Sequence, residues 1–359
     1  MTSMSSTPEL GLVEGFFGLP WTWEERRDAV SFLAPHGYRF YFYAPKADAW
    51  LRKRWREPHP AEQMEQLAVF RAHCRSEGVR FGLGLSPFEL HLSADDDWKK
   101  PLAAKLDMLA ELEPDDLALL FDDMRGDVPH LAERQAAIVH FAAEQDAAGR
   151  LLFCPSYYSD DPVLDLAFGQ RPARYLEDLG RLIDPAVRIF WTGPEVCSAE
   201  LTAGHAERVA GALRRKPFLW DNYPVNDGAR MSQHLHLRAF TGRPAGLAAQ
   251  ISGHAVNPAS QAVLSRIPAL TLAQSYAAGD DYDYGAAWDD AADAVLGAEL
   301  ARRVRLDLNV LQDRGRDRLG ERLGRLRERY AAFDHPGARE IVAWLDGKWD
   351  VAEDLVLTQ

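Results

Sequence analysis

Residues 116–127 read DLALLFDDMRGD, an apolar run that ends in two adjacent aspartates, Asp122 and Asp123. A short apolar run bounded by a polar turn is typical of a buried strand. Similar runs, rich in β-branched and aromatic residues, recur at 10–18, 38–45, 79–87, 150–158, 186–193, 216–225 and 247–256. The chain therefore carries eight candidate strands, and the paired aspartates follow the fourth.

Between most of these strands lie segments whose abundant Ala, Leu, Glu and Arg predict helices, at 60–77, 98–112, 129–148 and 204–215. Strands that alternate with helices imply parallel pairing through βαβ crossovers. Eight such units in roughly 280 residues match a TIM (β/α)8 barrel, whereas an open doubly wound sheet usually has fewer strands and begins with a phosphate-binding glycine loop. The sequence therefore predicts an α/β fold, a TIM barrel, with 226–246 as the segment whose pattern is hardest to interpret.

The pattern changes after about residue 280, where an acidic and aromatic break (DDYDY, 280–284) precedes long Ala, Leu and Arg periodicity. Residues 287–359 are predicted to be helical throughout, and RLGERLGRLRERYAAF (318–333) places leucines at helical spacing. We expect a disordered tail over 1–9, the barrel over 10–279 and a helical appendage over 280–359. The apolar face of the appendage either packs against the barrel or forms a homodimer interface.

Composition narrows the classes of partner. The 359 residues are 47% hydrophobic and 26% charged, as in ordinary soluble domains, and the net charge of -13 disfavours binding to nucleic acid. No apolar run is long enough to span a membrane and the N-terminal residues lack the pattern of an export signal, so we expect a cytoplasmic protein without membrane contact. Three widely spaced cysteines and the absence of a CxxC pair predict reduced thiols and no zinc site.

Polar and aromatic residues collect at the predicted strand ends, which in a TIM barrel form one rim. This arrangement fits a ligand with many hydroxyl groups and apolar faces on which aromatic rings stack. The residues concerned are Glu14, Gly15, Phe17, Lys46, Asp48, Asp122, Asp123, Tyr157, Tyr158, Trp220, Asp221, Asn222, Asn226, Asp227 and Asn257.

Asp122 and Asp123 can be interpreted physically. Successive side chains on a strand point to opposite faces, so both carboxylates can reach the barrel axis only where the strand has ended. Two neighbouring carboxylates resist simultaneous ionisation, so one becomes an acid and the other stays anionic. This division suits glycoside hydrolysis. The alternative is structural: one aspartate caps the next helix and the other forms a loop salt bridge.

Seven short motifs fall at the predicted strand ends: VEGFFG (13–18), YAPKAD (43–48), LLFDDM (119–124), FCPSYY (153–158), WTGP (191–194), WDNYPVND (220–227) and NP (257–258). Together they resemble glycoside hydrolase family 84, the family of the O-GlcNAcases, bacterial β-N-acetylglucosaminidases and hyaluronidase-like relatives. The resemblance runs in order from about residue 11 to 276, and its most specific parts are LLFDDM and the WDN and ND of WDNYPVND.

The resemblance implies a retaining, substrate-assisted mechanism in which the 2-acetamido oxygen of the sugar attacks the anomeric carbon and gives an oxazoline. Asp122 would orient and polarise the acetamide as an anion, and Asp123 would be the general acid and base. Gly15 (through its backbone), Lys46, Asp227 and Asn257 would hold sugar hydroxyls, whereas Tyr158, Trp220 and Asn222 would line the acetamide pocket. No cofactor or metal is implied, and the expected partner is a GlcNAc-bearing glycoside or glycopeptide.

Two positions depart from the family pattern: EGFYG is EGFFG here, with Phe17 in place of tyrosine, and YAPKDD is YAPKAD, with Ala47 in place of a carboxylate. Neither touches the aspartate pair, so the departures bear on selectivity outside the sugar pocket. The natural aglycone stays open.

Other interpretations stay open as well. Lys46 could form a rim salt bridge, Tyr158 and Trp220 could be core aromatics, Asn257 could be a turn residue before its proline, and His234 with His236 could chelate a metal. The competing functions are an endo-acting hyaluronidase-like hexosaminidase, a non-catalytic GlcNAc-binding barrel and a metal-dependent isomerase or epimerase.

Overall fold

The computed structural model describes residues 7–93, 96–351 and 356–358, and the eight strands of these residues close into a parallel barrel in sequence order. The barrel closes where Leu10 of the first strand aligns with His254 of the last. The strands are β1 (Leu10–Glu14), β2 (Tyr38–Tyr43), β3 (Arg80–Leu85), β4 (Asp116–Leu120), β5 (Arg150–Cys154), β6 (Arg188–Trp191), β7 (Phe218–Asp221) and β8 (Gly253–Val256).

Helices lie between the strands and continue beyond the barrel, which confirms the predicted TIM barrel with a C-terminal helical region. Those between or directly after the strands are α1 (Trp23–Leu33), α2 (Ala61–Ser76), α3 (Lys99–Ala110), α4 (Leu131–Glu144), α5 (Val163–Phe168), α6 (Tyr175–Leu182), α7 (Ala203–Leu213) and α8 (Arg266–Ala278). The later ones are α9 (Tyr284–Leu296), α10 (Ala298–Leu308), α11 (Arg322–Ala331) and α12 (Pro336–Leu345). Within the described residues, no helix is long and apolar enough to cross a bilayer.

β2 shows how the alternating pattern builds the barrel. The Phe40 ring lies 5.3 Å from that of Phe218 on β7, a strand that is not its neighbour, so this contact crosses the barrel interior. Tyr41 points outward, where its ring lies 5.0 Å from Phe70 of α2. A Cβ on Gly11 of β1 would lie 2.3 Å from the Phe40 ring, so the large interior side chain requires glycine beside it.

The last four helices share a second apolar core with α8 and with the loop that follows β7. Leu319 and Leu326, two leucines of the predicted periodic stretch, are buried in this core beside Trp344. Two buried side chains of α12 also make polar contacts. Glu340 accepts the N–H groups of Val263 and Leu264, both at 2.9 Å. Trp344 donates to the carbonyl of Ser232 at 2.9 Å, so α12 is bonded to the loops that follow β7 and β8.

Several predicted boundaries were wrong. The strand predicted over 247–256 is two elements, a 3-10 turn over Ala245–Gln250 and the short β8. The prediction failed because buried residues such as Leu247 and Ala248 occur in both strands and turns and give no local signal that separates them. Residues 287–359 are not continuously helical: Gly297 and Gly315 adopt positive φ and interrupt the helices. Within 318–333 the α-helix covers only Arg322–Ala331. Residues 1–6 of the predicted tail lie outside the described residues.

Candidate active site

A pocket opens at the carboxyl end of the barrel, where the loops after several strands meet. It brings together eight of the nine predicted site residues, and the ninth, Lys46, donates a hydrogen bond to one of them. The eight are Gly15, Asp122, Asp123, Tyr158, Trp220, Asn222, Asp227 and Asn257.

Asp122 is a buried carboxylate with one oxygen bonded and one unbonded. Lys46, itself only 8% exposed, donates through Nζ to Oδ2 of Asp122. Oδ1 of Asp122 is buried too, and no described residue donates a hydrogen bond to it. Because buried polar atoms are nearly always paired, this oxygen marks the position at which a ligand donor would bind.

Asp123 presents its carboxyl group from a left-handed backbone, with φ at 56°. That conformation is unusual for a non-glycine residue, although aspartate tolerates it better than most. It breaks the alternation of the strand, so both aspartates line one pocket. Tyr158 donates through its hydroxyl to Oδ1 of Asp123 at 2.9 Å. Burial and the adjacent carboxylate of Asp122 raise the pKa of Asp123, despite the nearby cations.

A chain of hydrogen bonds joins the ends of β1, β7 and β8. The Gly15 N–H donates to Asn257 Oδ1 at 3.2 Å, and Asn257 Nδ2 donates to Asn222 Oδ1 at 2.9 Å. Trp220 Nε1 reaches the same oxygen of Asn222 at 3.1 Å. A Cβ on Gly15 would lie 2.1 Å from the Trp220 ring, so the close approach of this ring excludes any larger residue there. Asn222 also donates to the carbonyl of Val196 at 2.9 Å, so the wall formed by these residues is preorganised.

Asp227 closes the side of the pocket next to the β1 loop. Its Oδ2 accepts the N–H of Phe17 at 2.7 Å, which ties the loop after β7 to the loop after β1. Burial, with a smaller contribution from the Asp123 charge, raises the pKa of Asp227 to about 6 against the hydrogen bonds that lower it. The pocket therefore holds three carboxyl groups, two of them with raised pKa values, which is a common property of catalytic sites.

Other polar residues at the strand ends serve the scaffold. Glu14 forms a buried ion pair with Arg26 on the outer side of β1 at 2.7 Å. Asp48 accepts the N–H groups of Trp50 and Leu51 and so caps a short 3-10 helix, Ala49–Leu51. Tyr157 donates to the Gly169 carbonyl at 2.6 Å, and Asn226 bonds Gln261 at 2.9 Å. Asp221 is paired with Arg243 at 2.7 Å.

The pocket lining also includes residues to which the sequence assigned no role. Val225 lies inside the WDNYPVND motif and Thr192 inside WTGP, so position in a motif was an available signal for both. Val356 and Thr358 come from the far end of the chain, and nothing in the sequence pattern indicates their contact with this pocket. The remaining residues are Cys154, Val196, Cys197 and Phe17, and of these the sequence had singled out Phe17 as a departure from the family pattern.

Burial raises the pKa of the Cys154 thiol well above its usual value, which disfavours a thiolate nucleophile at this position.

The histidine pair has no metal geometry. His234 Nδ1 lies 2.6 Å from the carbonyl of Gln312, and His236 Nδ1 lies 3.0 Å from that of Pro224. Across the described residues, no group of three or more His, Cys, Asp or Glu side chains is placed to hold a metal ion.

Comparison with known proteins gives a consistent result. A family model described as beta-N-acetylglucosaminidase matches residues 10–310. The protein O-GlcNAcases of Rattus norvegicus and Mus musculus are each 30% identical over 278 residues, which is 74% of this chain. The chain spans 30% of the length of these relatives.

Solved structures share the fold. A mutant of the Thermobaculum terrenum O-GlcNAc hydrolase matches with a TM-score of 0.78 and 27% identity, over 94% of this chain and 80% of that one. CpGH84B matches with a TM-score of 0.78 and 22% identity, over 96% of this chain and 67% of that one, which supports the fold alone. With the matched family model and the barrel-end pocket, these findings show that the chain belongs to the β-N-acetylglucosaminidases of glycoside hydrolase family 84.

Proposed function

We propose that the chain is a retaining exo-β-N-acetylglucosaminidase of the O-GlcNAcase type, which removes terminal β-linked GlcNAc by substrate-assisted catalysis through an oxazoline. The observation that carries this proposal is the unbonded, buried Oδ1 of Asp122 beside Asp123, whose pKa is raised. A 2-acetamido group supplies the N–H donor that this oxygen lacks among the described residues.

Asp122 orients the internal nucleophile. With Oδ2 held by Lys46, Oδ1 accepts the acetamide N–H and increases the electron density on the acetamide oxygen. That oxygen attacks the anomeric carbon, forms the oxazoline ring and displaces the aglycone. The anionic carboxylate also stabilises the positive charge that develops on the acetamide. The enzyme itself forms no covalent bond to the sugar.

Asp123 transfers the protons. Its raised pKa keeps the carboxyl group protonated at higher pH than that of an ordinary aspartate, so it can protonate the leaving oxygen. The resulting carboxylate then removes a proton from the water that opens the oxazoline, which restores the starting configuration at the anomeric carbon. Tyr158 holds this carboxyl group in place at 2.9 Å.

The remaining residues bind the sugar. Asn257, Asp227 and Lys46 offer donors and acceptors for hydroxyl groups. Since the Gly15 N–H is taken by Asn257, we propose that the Gly15 carbonyl is the backbone contact. Trp220, Tyr158 and Asn222 form the acetamide pocket, where an aromatic ring packs against the methyl group. These aromatic side chains and Asn257 are bonded within the site, which favours this role over that of core or turn residues.

The mode of cleavage is proposed from burial. Asp122 is 5% exposed and Asp227 is 7% exposed, so the pocket suits one terminal ring better than the middle of a polymer. An endo-acting hexosaminidase would need an open groove at this position. Incubation with a chitin hexasaccharide distinguishes the two modes: at early times an exo enzyme gives GlcNAc and the pentasaccharide, whereas early products of two to four sugars without GlcNAc would favour endo cleavage.

The substrate of the named relatives suggests GlcNAc on a glycopeptide as a substrate here. A cytoplasmic location and a homodimer through the C-terminal helices stay predictions from the sequence.

The direct test is hydrolysis of 4-methylumbelliferyl β-N-acetylglucosaminide beside the corresponding β-glucoside, with EDTA present. We expect cleavage of the first substrate only, and a loss on the order of 10²–10³-fold in Asp122→Asn. Equal cleavage of both sugars would rule out acetamide participation. A folded protein that cleaves neither would favour the non-catalytic GlcNAc-binding barrel.

A further inference from the structure

The loop between β2 and α2, residues 44–60, carries two buried cations, and each contacts a different member of the aspartate pair. Lys46 bonds the carboxylate of Asp122. Arg52 reaches Asp123: its Nη2 donates to the backbone carbonyl of Asp123 at 3.4 Å, and its Nη1 lies 3.4 Å from the hydroxyl of Ser86. Lys46 was part of the predicted site, whereas Arg52 was not.

Arg52 is buried beside two aromatic rings and has no close acid among the described residues. It is 6% exposed, and its guanidinium carbon lies 5.5 Å from the ring centroid of Phe17 and 5.3 Å from that of Phe88. No carboxylate of the described residues lies within 4.0 Å of this guanidinium, whereas Lys46 has Asp122 as its partner. A buried arginine without a close acid acts on the charges around it at longer range, since screening by water is weak there.

Resting on the function proposed above, we propose that Arg52 is a positioning residue for the general acid: it holds the left-handed backbone of Asp123 through the carbonyl and places a fixed positive charge beside the carboxyl group. The contact to the carbonyl supports a backbone conformation that is otherwise unfavourable for aspartate.

The charge matters because of what else faces Asp123. The titratable and charged groups around it come from the ends of β4, β5 and β7 and from the β2–α2 loop. They are Asp122, Cys154, Tyr158, Asp227, Lys46 and Arg52.

Two of these groups are acids that oppose ionisation of Asp123, and Lys46 is already bound to Asp122. Removing Arg52 therefore changes the charge that acts on Asp123 while Lys46 stays bound to Asp122. Its charge lowers the pKa of Asp123 against the larger effects of burial and Asp122.

The test is the pH profile of kcat/KM for wild type, Arg52→Gln and Arg52→Lys, with the methylumbelliferyl substrate and an alkyl β-N-acetylglucosaminide. The alkaline limb reports the general acid, which must be protonated. Losing the positive charge favours the neutral acid, so in Arg52→Gln we expect this limb to move up by about 0.5 to 1 pH unit. Arg52→Lys keeps the charge and should keep the limb near its wild-type position.

The carbonyl contact predicts a second effect. In both variants the alkyl substrate should lose about tenfold more in kcat than the aryl substrate, because only the poor leaving group depends on a well-placed acid. Arg54→Gln is the matched control: this exposed arginine of the same loop pairs with exposed Glu57, and its loss should move neither the limb nor the substrate ratio. Arg52→Met retains an aliphatic chain between the two phenylalanine rings and replaces Arg52→Gln if that variant unfolds.

Equal loss at every pH and on both substrates, with an unmoved limb in Arg52→Gln and Arg52→Met, would overturn this inference and leave the proposed function intact. An inactive but folded wild type would instead overturn the proposed function and this inference with it.

Discussion

Two buried aspartates six residues apart, Asp221 and Asp227, show how one strand end contributes both to the scaffold and to the candidate active site. Asp221 accepts two hydrogen bonds from Arg243, at 2.8 and 2.7 Å, and lies 3.0 Å from His254. These partners lower its pKa to about 2 although burial alone would raise it. Asp227 has backbone hydrogen bonds but faces a second carboxyl group, and its pKa rises to about 6.

The difference lies in the partners, since both side chains are buried. The carboxylate of Asp221 is matched by the cation of Arg243 and serves the fold. In the pocket, the described cations Lys46 and Arg52 are fewer than the carboxyl groups of Asp122, Asp123 and Asp227, so burial, aided by the neighbouring negative charge, keeps the pKa values of Asp123 and Asp227 raised. Burial of an acid therefore does not by itself distinguish a functional residue from a structural one.

The largest expected effect concerns the pocket. Asp123→Asn should reduce kcat on an alkyl β-N-acetylglucosaminide about 10³-fold, close to 4 kcal/mol of barrier, since the leaving oxygen would lose its acid. Cleavage of the methylumbelliferyl substrate should fall much less, because an activated phenolate departs with little protonation. Steady-state kinetics on both substrates measure the ratio. Similar losses on the two would contradict the role of Asp123 as the acid.

The next effect concerns the scaffold. Arg243→Met leaves Asp221 buried without its cation and should lower the free energy of unfolding by about 3 kcal/mol or more, measured by urea denaturation. Arg238→Met is the control, because this arginine pairs with the half-exposed Asp313 and should cost at most about 1 kcal/mol. Indistinguishable unfolding curves for the two variants would show that the Asp221 network is not a scaffold.

A smaller effect separates binding from chemistry. Asp227→Asn keeps an oxygen for the Phe17 N–H but loses the stronger acceptor for sugar hydroxyls. We expect KM to rise about 10- to 100-fold, corresponding to a hydrogen bond to a charged group, with kcat changed less. If kcat falls while KM stays constant, Asp227 acts in the reaction rather than in binding.

The smallest expected effect is on the pH dependence of stability, to which Asp227 and Asp221 contribute with opposite signs. The pKa of Asp227 is raised from 3.8 to about 6, so its contribution is present at low pH and is lost as pH rises through 6. The pKa of Asp221 is lowered to about 2, so its contribution is present above about pH 4 and is lost as pH falls toward 2. Between pH 4 and 7, the free energy of unfolding of wild type should therefore fall relative to that of Asp227→Asn, which has no carboxyl group to ionise. Parallel curves for the two proteins would contradict the raised pKa.

Much of this arrangement was readable in the sequence. Alternating apolar runs and helical segments predict the barrel because both periodicities are local, and the barrel then places every strand end on one rim. Asp122, Asp123 and Trp220 could be assigned to that rim from position alone. Their roles as an anion, an acid and an acetamide wall came from the resemblance, which local patterns do not supply.

What the sequence did not reveal depends on contacts between distant residues or on single backbone angles. Arg52 lies among the basic residues of LRKRWR, and only the fold shows that it, rather than Arg54, turns inward. Val356 meets the pocket from more than a hundred residues beyond Asp227, and the left-handed turn at Asp123 follows from no residue preference strong enough to predict it.

The hydrogen bonds of α12 mean that the barrel residues alone do not contain all the partners of their own loops. The loop that begins at Asn257 is anchored by Glu340, whose carboxyl group receives two buried amides, and the loop after β7 is anchored by Trp344. A gene shortened after residue 279 would encode all eight strands and both aspartates, yet would remove the acceptor of two buried backbone N–H groups in the loop that also carries Asn257. Expression vectors, inhibitor screens and chimaeras built on this scaffold need the last helix as much as they need the barrel.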